Sequence, residues 1–236
     1  MMFLNKKQNN KNSNSNSNSN RAGFTLIELL LVIAIFSILT SVVVFNYNKF
    51  NSDILLTNMA YEVALDIREA QVYSLGVRGG SKTSSNNFDT RYGVYFDLVT
   101  NDKNFVFFDD ASGEGMCDGA SDSCDINACT AGNECERVTK LTRDSIFEKI
   151  CVSNDGTAPM DFDTGACGGP SNSGVPKDEI SITFSRPNPD TIIKDAENDE
   201  FNTAAILLRS NQEDYKKIIY ILNNGQIAIK TLVPTI

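Results

Sequence analysis

The chain has 236 residues and a formal net charge of −9, with 41% apolar residues, 14 Phe, 7 Tyr, no Trp and no His. That length admits one globular domain of ordinary size plus a membrane segment, and the apolar fraction is too high for a disordered chain. The missing His excludes Ser-His-Asp and Cys-His catalytic arrangements, no GxxxxGK phosphate loop occurs, and the excess of acid repels phosphate backbones, which argues against general nucleic-acid binding.

Residues 9–20, NNKNSNSNSNSN, are polar and of low complexity and read as part of a disordered leader. The leader carries Lys6, Lys7, Lys11 and Arg21 and no acid; without residues 1–23 the balance becomes 17 basic against 30 acidic. From Phe24 to Phe45 there are 22 residues with a single charge and neither Pro nor Gly. As a helix they extend about 33 Å, close to the hydrocarbon thickness of a bilayer.

The flanks orient this segment. Four basic residues precede it, whereas the thirty residues after Phe45 hold only Lys49 and Arg68 against Asp53, Glu62, Asp66 and Glu69. The N-terminus is therefore expected in the cytoplasm and everything after residue 45 outside, where cysteines oxidise. The apolar run leads into VVVFNYNKF with no small-x-small pattern, so an ordinary secretory cleavage at that end is not expected.

The single charge is Glu28. A charged side chain near the centre of a membrane helix costs roughly 2.5–3.5 kcal/mol, so such residues are usually paired or functional. Position alone leaves a plainer alternative, because Glu28 lies only about one and a half turns into the run and can reach the headgroup layer. Its neighbours decide. Gly23, Phe24, Thr25, Leu26, Ile27, Glu28, Leu29 and Leu30, followed by Val32, Ile33, Ala34 and Ile35, form a contiguous pattern that resembles the class III signal of type IV pilins and type II secretion pseudopilins.

The resemblance implies that a prepilin peptidase on the cytoplasmic side cuts between Gly23 and Phe24 and methylates the new amine. It further implies that Glu28, the fifth residue of the mature chain, attracts the N-terminal amine of a neighbouring subunit during filament assembly. The implied partners are that peptidase, other pilin or pseudopilin subunits, an inner-membrane assembly platform and the membrane itself; motive power comes from a separate ATPase. Two departures stand out: the leader is long and rich in Asn and Ser, and Ala22 separates Arg21 from Gly23. The helix also lacks the midway Pro or Gly that many relatives carry.

Beyond the membrane, Leu56, Met59, Ala60, Val63, Ala64, Ile67 and Ala70 recur at steps of three and four, with Val72 and Leu75 as an extension. One helix is expected from about Phe24 to Leu75, roughly 78 Å long, stopped by Gly76 and the Gly79, Gly80 pair. After Gly80, RYGVYFDLV and NFVFFDD read as a hairpin, and ERVTKL, IFEKICV, EISITF, AAILLRS, KKIIYIL and QIAIKTLV as further strands. The last two are joined through Asn224 and Gly225, a two-residue turn signal.

The expected fold is α+β: a long N-terminal helix, half membrane-spanning and half amphipathic, followed by a mainly antiparallel β-sandwich-like head. The expected domains are a cleaved leader at 1–23, the helix at 24–76 with its membrane half at 24–45, and the head at 77–236. The order of a long helix, REAQVYSLGVR, YGVYFD and a terminal hairpin ending in GQI resembles minor pseudopilins of the H type.

Residues 113–135, GEGMCDGASDSCDINACTAGNEC, form a cysteine-rich insertion with Cys117, Cys124, Cys129 and Cys135; Cys151 and Cys167 follow. Six cysteines allow fifteen pairings, and the sequence does not choose among them. The intervening lengths of six, four and five residues and the lack of His do not suit zinc. Disulfides stapling a long loop are the expected reading. Calcium is the alternative cofactor, with Asp118, Asp122, Asp125 and Asn127 supplying hard oxygens and Asp161 and Asp163 nearby, but neither group matches a spaced calcium loop. Together these readings describe a structural filament subunit of a pilus or type II secretion machine and not an enzyme. The alternative is an adhesin-like tip subunit that grips a surface or substrate through the stapled loop.

Overall fold

The computed structural model describes residues 23–76, 90–117, 124–129, 134–142, 145–161, 163–168, 173–187, 190–210 and 215–232. Two units divide the chain, Met1–Asn46 and Tyr47–Ile236. The described part of the first is Gly23, Phe24, Thr25 and the beginning of helix α1 (Leu26–Leu75). From Leu26 to Val44 this helix is apolar, long enough to cross a membrane, and exposed along its length among the described residues. Two of its hydroxyls turn back onto the helix: Ser37 Oγ donates to the Ile33 carbonyl at 2.7 Å and Thr40 Oγ1 to the Phe36 carbonyl at 2.5 Å. Neither polar group is left facing hydrocarbon unpaired.

In the second unit the rest of α1 is joined by eleven strands among the described residues: β1 (Arg91–Asp97), β2 (Asn104–Asp110), β3 (Cys135–Lys140), β4 (Ile146–Ser153), β5 (Val175–Lys177), β6 (Glu179–Phe184), β7 (Thr191–Asp195), β8 (Glu200–Phe201), β9 (Thr203–Arg209), β10 (Lys216–Leu222) and β11 (Ile227–Leu232). They build a six-stranded sheet in the order β3-β2-β1-β6-β7-β8 and a five-stranded sheet in the order β11-β10-β9-β4-β5. Every pairing is antiparallel. The α+β architecture expected from the sequence is present. Three strands escape its pattern: β5 contains Pro176 and lies at a sheet edge, β7 is five residues long, and β8 has only two.

One apolar core lies between the helix and both sheets. Leu56, Ala60, Val63, Ile67 and Ala70 of α1 meet Tyr92, Val94 and Phe96 of β1, Phe105 and Phe107 of β2, Ile180, Ile182 and Phe184 of β6, and Ile150, Ile206 and Ile219 of the second sheet. The ring of Phe147 stands edge-on to Phe96 and Phe105, with centroids 5.2 and 6.0 Å away. Val72 and Leu75, expected to prolong the helical stripe, are instead 57% and 39% exposed, while Gln71 and Ser74 are buried. Steps of four from Ile67 and Ala70 reach 71 and 74, so the 3.6-residue period carries the stripe onto polar residues there. Both are satisfied. Gln71 Nε2 donates to the Gly225 carbonyl at 3.1 Å, and Ser74 Oγ accepts from the Tyr92 amide at 2.7 Å and donates to its carbonyl at 3.1 Å.

The β10–β11 hairpin closes through a three-residue loop rather than the two-residue turn the Asn-Gly pair suggested. Leu222 N donates to the Gln226 carbonyl and Gly225 N to the Leu222 carbonyl, and only Gly225 adopts positive φ, at 79°. That is a type I turn followed by a left-handed residue, the usual geometry of three-residue hairpins.

The outer face of each sheet carries its own apolar cluster. On the first sheet Tyr95, Val106 and Phe108 are covered by Cys117, Cys124, Ile126 and Cys135. On the second, Ala205, Leu207, Ile218 and Leu232 pack with Cys151 and Met160. Strands β1 and β2 are therefore buried on both faces, which explains their nearly unbroken apolar and aromatic sequence. The cysteines pair as Cys117–Cys124, Cys129–Cys135 and Cys151–Cys167. Replacing Cys151 and Cys167 together by Ala is expected to cost about 3 kcal/mol, the value for closing a loop of about 15 residues, read as a lower midpoint in urea. An unchanged midpoint would mean that packing by Met160 and Leu207 alone holds that cover in place.

Charged groups fasten the remaining sides. Arg137 of β3 reaches Asp66 at 3.0 Å and Glu69 at 2.9 Å on α1, with its guanidinium 5.0 Å from the Phe107 ring centre. Burial raises the Asp66 carboxyl above its ordinary range in spite of that cation and the Thr139 hydroxyl. Lys217 of β10 meets Asp53 of α1 at 3.1 Å, and Lys177 of β5 is paired with Asp195 and Glu197.

Candidate functional site

The best-defined site lies where α1 begins. Gly23, Phe24 and Thr25 precede the helix and are exposed, Phe24 at 86%, and a Cβ built on Gly23 would touch nothing within 4 Å. The Gly23–Phe24 bond therefore stands outside helical hydrogen bonding and, among the described residues, clear of other side chains. Thr25 is the N-cap: the Glu28 amide donates to Thr25 Oγ1 at 3.3 Å. Glu28 answers, its Oε2 accepting from the Thr25 amide at 3.3 Å and from the Thr25 hydroxyl at 3.2 Å. This reciprocal capping box satisfies two donors that a helix start leaves open. The sequence reading overlooked it, although Thr25-Leu26-Ile27-Glu28 ahead of an apolar run carries the T-x-x-E spacing that signals it.

Within the precursor Glu28 is thus a local cap and an exposed anion in the first helical turn, where the positive end of the helix dipole favours it. Among the described residues Thr25 is its only hydrogen-bonding partner and no cation pairs with it, so the anion is open to a cation supplied from outside the chain.

In the head, acids act as internal turn anchors. Asp110, almost fully buried, accepts from the amides of Gly113, Glu114 and Gly115 at 2.7, 3.1 and 2.9 Å. Asp97 takes the Val99 and Thr100 amides, both at 2.9 Å. Hydroxyls of Ser153, Ser173 and Thr157 hold the exposed Asp155 carboxyl well below the usual carboxylate range. Burial works to raise Asp195, but Lys177 and the Asp199 amide outweigh it and hold the carboxyl low. Tyr95 donates to Glu179, and burial together with that carboxylate pushes its phenol far above the ordinary value.

Of the calcium candidates, Asp118 and Asp122 lie outside the described residues, and Asp125 Oδ1 accepts from the Asn127 amide at 2.9 Å. Asp161 likewise takes the Asp163 amide at 2.7 Å. Among the described residues no group of three or more His, Cys, Asp or Glu is placed to hold a metal ion.

Residues 18–44 match the family model of the prokaryotic N-terminal methylation motif, the class III signal of type IV pilins. The chain carries that signal on an apolar helix, and the motif points to a membrane-anchored precursor of a structural, pilin-like protein. It also implies processing by a prepilin peptidase and assembly with other pilins. The match ends before Tyr47, so it speaks for the first unit alone. No curated protein and no solved structure matches the chain.

Proposed function

We propose that this chain is the precursor of a minor subunit of a type IV pilus-like or type II secretion filament. The peptidase cuts between Gly23 and Phe24 on the cytoplasmic face, the new amine is methylated, and the head stands on the extracytoplasmic side. After cleavage the amine on Phe24 is cationic, and Glu28 of an adjacent subunit gives it a counterion inside the lipid. A charge in hydrocarbon is tolerable when paired and costly alone, so the pair rewards one helix for docking beside another.

The observation that supports this most is a coincidence at one place. The matched signal, an exposed non-helical Gly23–Phe24 bond and an uncovered apolar helix from Leu26 to Val44 all fall within the same short stretch. The alternative of a tip subunit gripping a surface through residues 113–135 draws no support from the described part of that loop, where Cys117, Cys124, Ile126 and Cys135 are packed onto β1 and β2.

Mass spectrometry of the mature N-terminus tests the proposal. In cells with an active prepilin peptidase the chain is expected to begin at N-methylated Phe24, and in cells without it at Met1. Chains that keep Met1 in both strains would overturn the reading.

A further inference from the structure

The head contains a polar cleft of about 410 Å³, remote in sequence from the methylation signal. Its walls come from three separated parts of the chain: Asp190 and Thr191 at the start of β7, Glu200, Phe201 and Asn202 around β8, and Asn223 and Asn224 in the β10–β11 loop. These pieces are tied together by backbone bonds. Thr191 N donates to the Asn223 carbonyl at 2.8 Å and Asn202 N to the Ser153 carbonyl at 3.0 Å. The loop is pinned from below by Gln71 of α1 through the Gly225 carbonyl. The cleft is accordingly held in shape before any ligand arrives.

The chemistry of the lining narrows the ligand. Asn202 Nδ2 is engaged by the Asn154 carbonyl at 2.5 Å, which leaves its Oδ1 to accept. Asn224 Oδ1 takes the Gln226 amide at 3.0 Å, which leaves its Nδ2 to donate. The Asn223 amide and the carboxylates of Asp190 and Glu200 are exposed, and none has a side-chain partner among the described residues. Donors and acceptors thus converge on one space, together with the ring of Phe201, which is 9% exposed. Under the floor, Thr191 is 5% exposed and its hydroxyl has no partner among the described residues, the kind of orphan that bound solvent or ligand usually satisfies.

An anion is disfavoured by the two carboxylates, with no Lys or Arg among the described lining residues. A cation uses acceptors alone and gains nothing from the amide N–H groups. A neutral ligand bearing several hydroxyls uses both, because each hydroxyl donates and accepts at once. The volume lies within the range of small-ligand sites, which combine an apolar or aromatic floor with a few placed polar groups.

We infer that this cleft binds a neutral saccharide, with Asn223 and Asn224 donating to its hydroxyls and Asp190, Glu200 and Asn202 accepting from them. The assignment does not rest on the filament reading, because cleavage and helix docking involve none of these residues. The test uses the mature full-length chain in phosphatidylcholine nanodiscs, free of sugar-headed detergent, with glucose, galactose and N-acetylglucosamine as probes. Saturation-transfer NMR is expected to show millimolar binding of at least one of them, weakened about tenfold by Asn223→Ala and by Glu200→Gln, as for loss of one hydrogen bond to a ligand. Asn58→Ala, on the exposed helix surface, should leave it unchanged, and circular dichroism should show all three variants folded. The inference is overturned if no probe binds, if binding persists undiminished in both cleft variants, or if the cleft instead takes calcium in a calorimetric titration that the sugars do not affect.

Discussion

A Glu28→Gln chain is expected to be cut after Gly23 as efficiently as the parent yet to be almost absent from filaments. Gln keeps the capping geometry, since either Glu or Gln serves at the third helical position, so the helix start that presents the Gly23–Phe24 bond is preserved. What disappears is the negative charge. On the proposed reading the methylated amine of the adjoining subunit then enters lipid without a counterion, and breaking a buried pair from one side costs about 3–5 kcal/mol. At about 1.4 kcal/mol per factor of ten, that lowers helix docking by roughly two to three and a half orders of magnitude. The measurement is the fraction of processed subunit in sheared fibres against membranes. Parent-level recovery in fibres would show that Glu28 serves only the cap.

The second large effect is expected at Gly93, in the middle of β1 between Phe108 of β2 and Thr183 of β6. A Cβ there would stand 2.6 Å from the Ile182 carbonyl oxygen, 2.6 Å from Thr183 Cγ2 and 2.8 Å from the Phe108 ring. The ring and methyl can give way only slightly inside a covered sheet, and the carbonyl belongs to the β1–β6 ladder. Gly93→Ala is expected to destabilise the head by about 2–3 kcal/mol, the upper part of the overpacking range, which lowers Tm by roughly 5–10 °C. Thermal unfolding of the purified chain measures it. A shift below a degree would mean that β1 and β6 separate easily, contrary to their six-residue register.

How much of this was legible beforehand depended on how local the cause was. Gly23, Phe24 and Glu28 are one contiguous signal, and the helix from 26 to 75 follows from apolar composition and a 3.6-residue period, so both could be read from neighbours alone. The longer strands were visible through their Val, Ile, Phe and Tyr content. That β1 and β2 are covered on both sides was not, because the second cover comes from Cys117, Cys124, Ile126 and Cys135, in a polar stretch whose sequence shows no apolar period. The disulfide partners were hidden for the same reason: Cys151 lies within a strand and Cys167 at an isolated bridge to Met160, and only sheet placement brings them together. Nothing beside Gln71 in the sequence marks it as buried, because its partner, the Gly225 carbonyl, lies 154 residues away. The saccharide cleft is the extreme case, since Asp190, Glu200 and Asn223 share no local pattern and meet only through the junction of β7, β8 and a hairpin loop.

The paired outer covers make solubility conditional on oxidation. Opening the bridges loosens the flap over Tyr95, Val106 and Phe108 on one side and over Ala205, Leu207 and Ile218 on the other. The same molecule then presents two greasy plates back to back, a bifunctional monomer for runaway clumping. A thiol-rich environment would therefore convert this head from a discrete particle into a precipitant of its own kind.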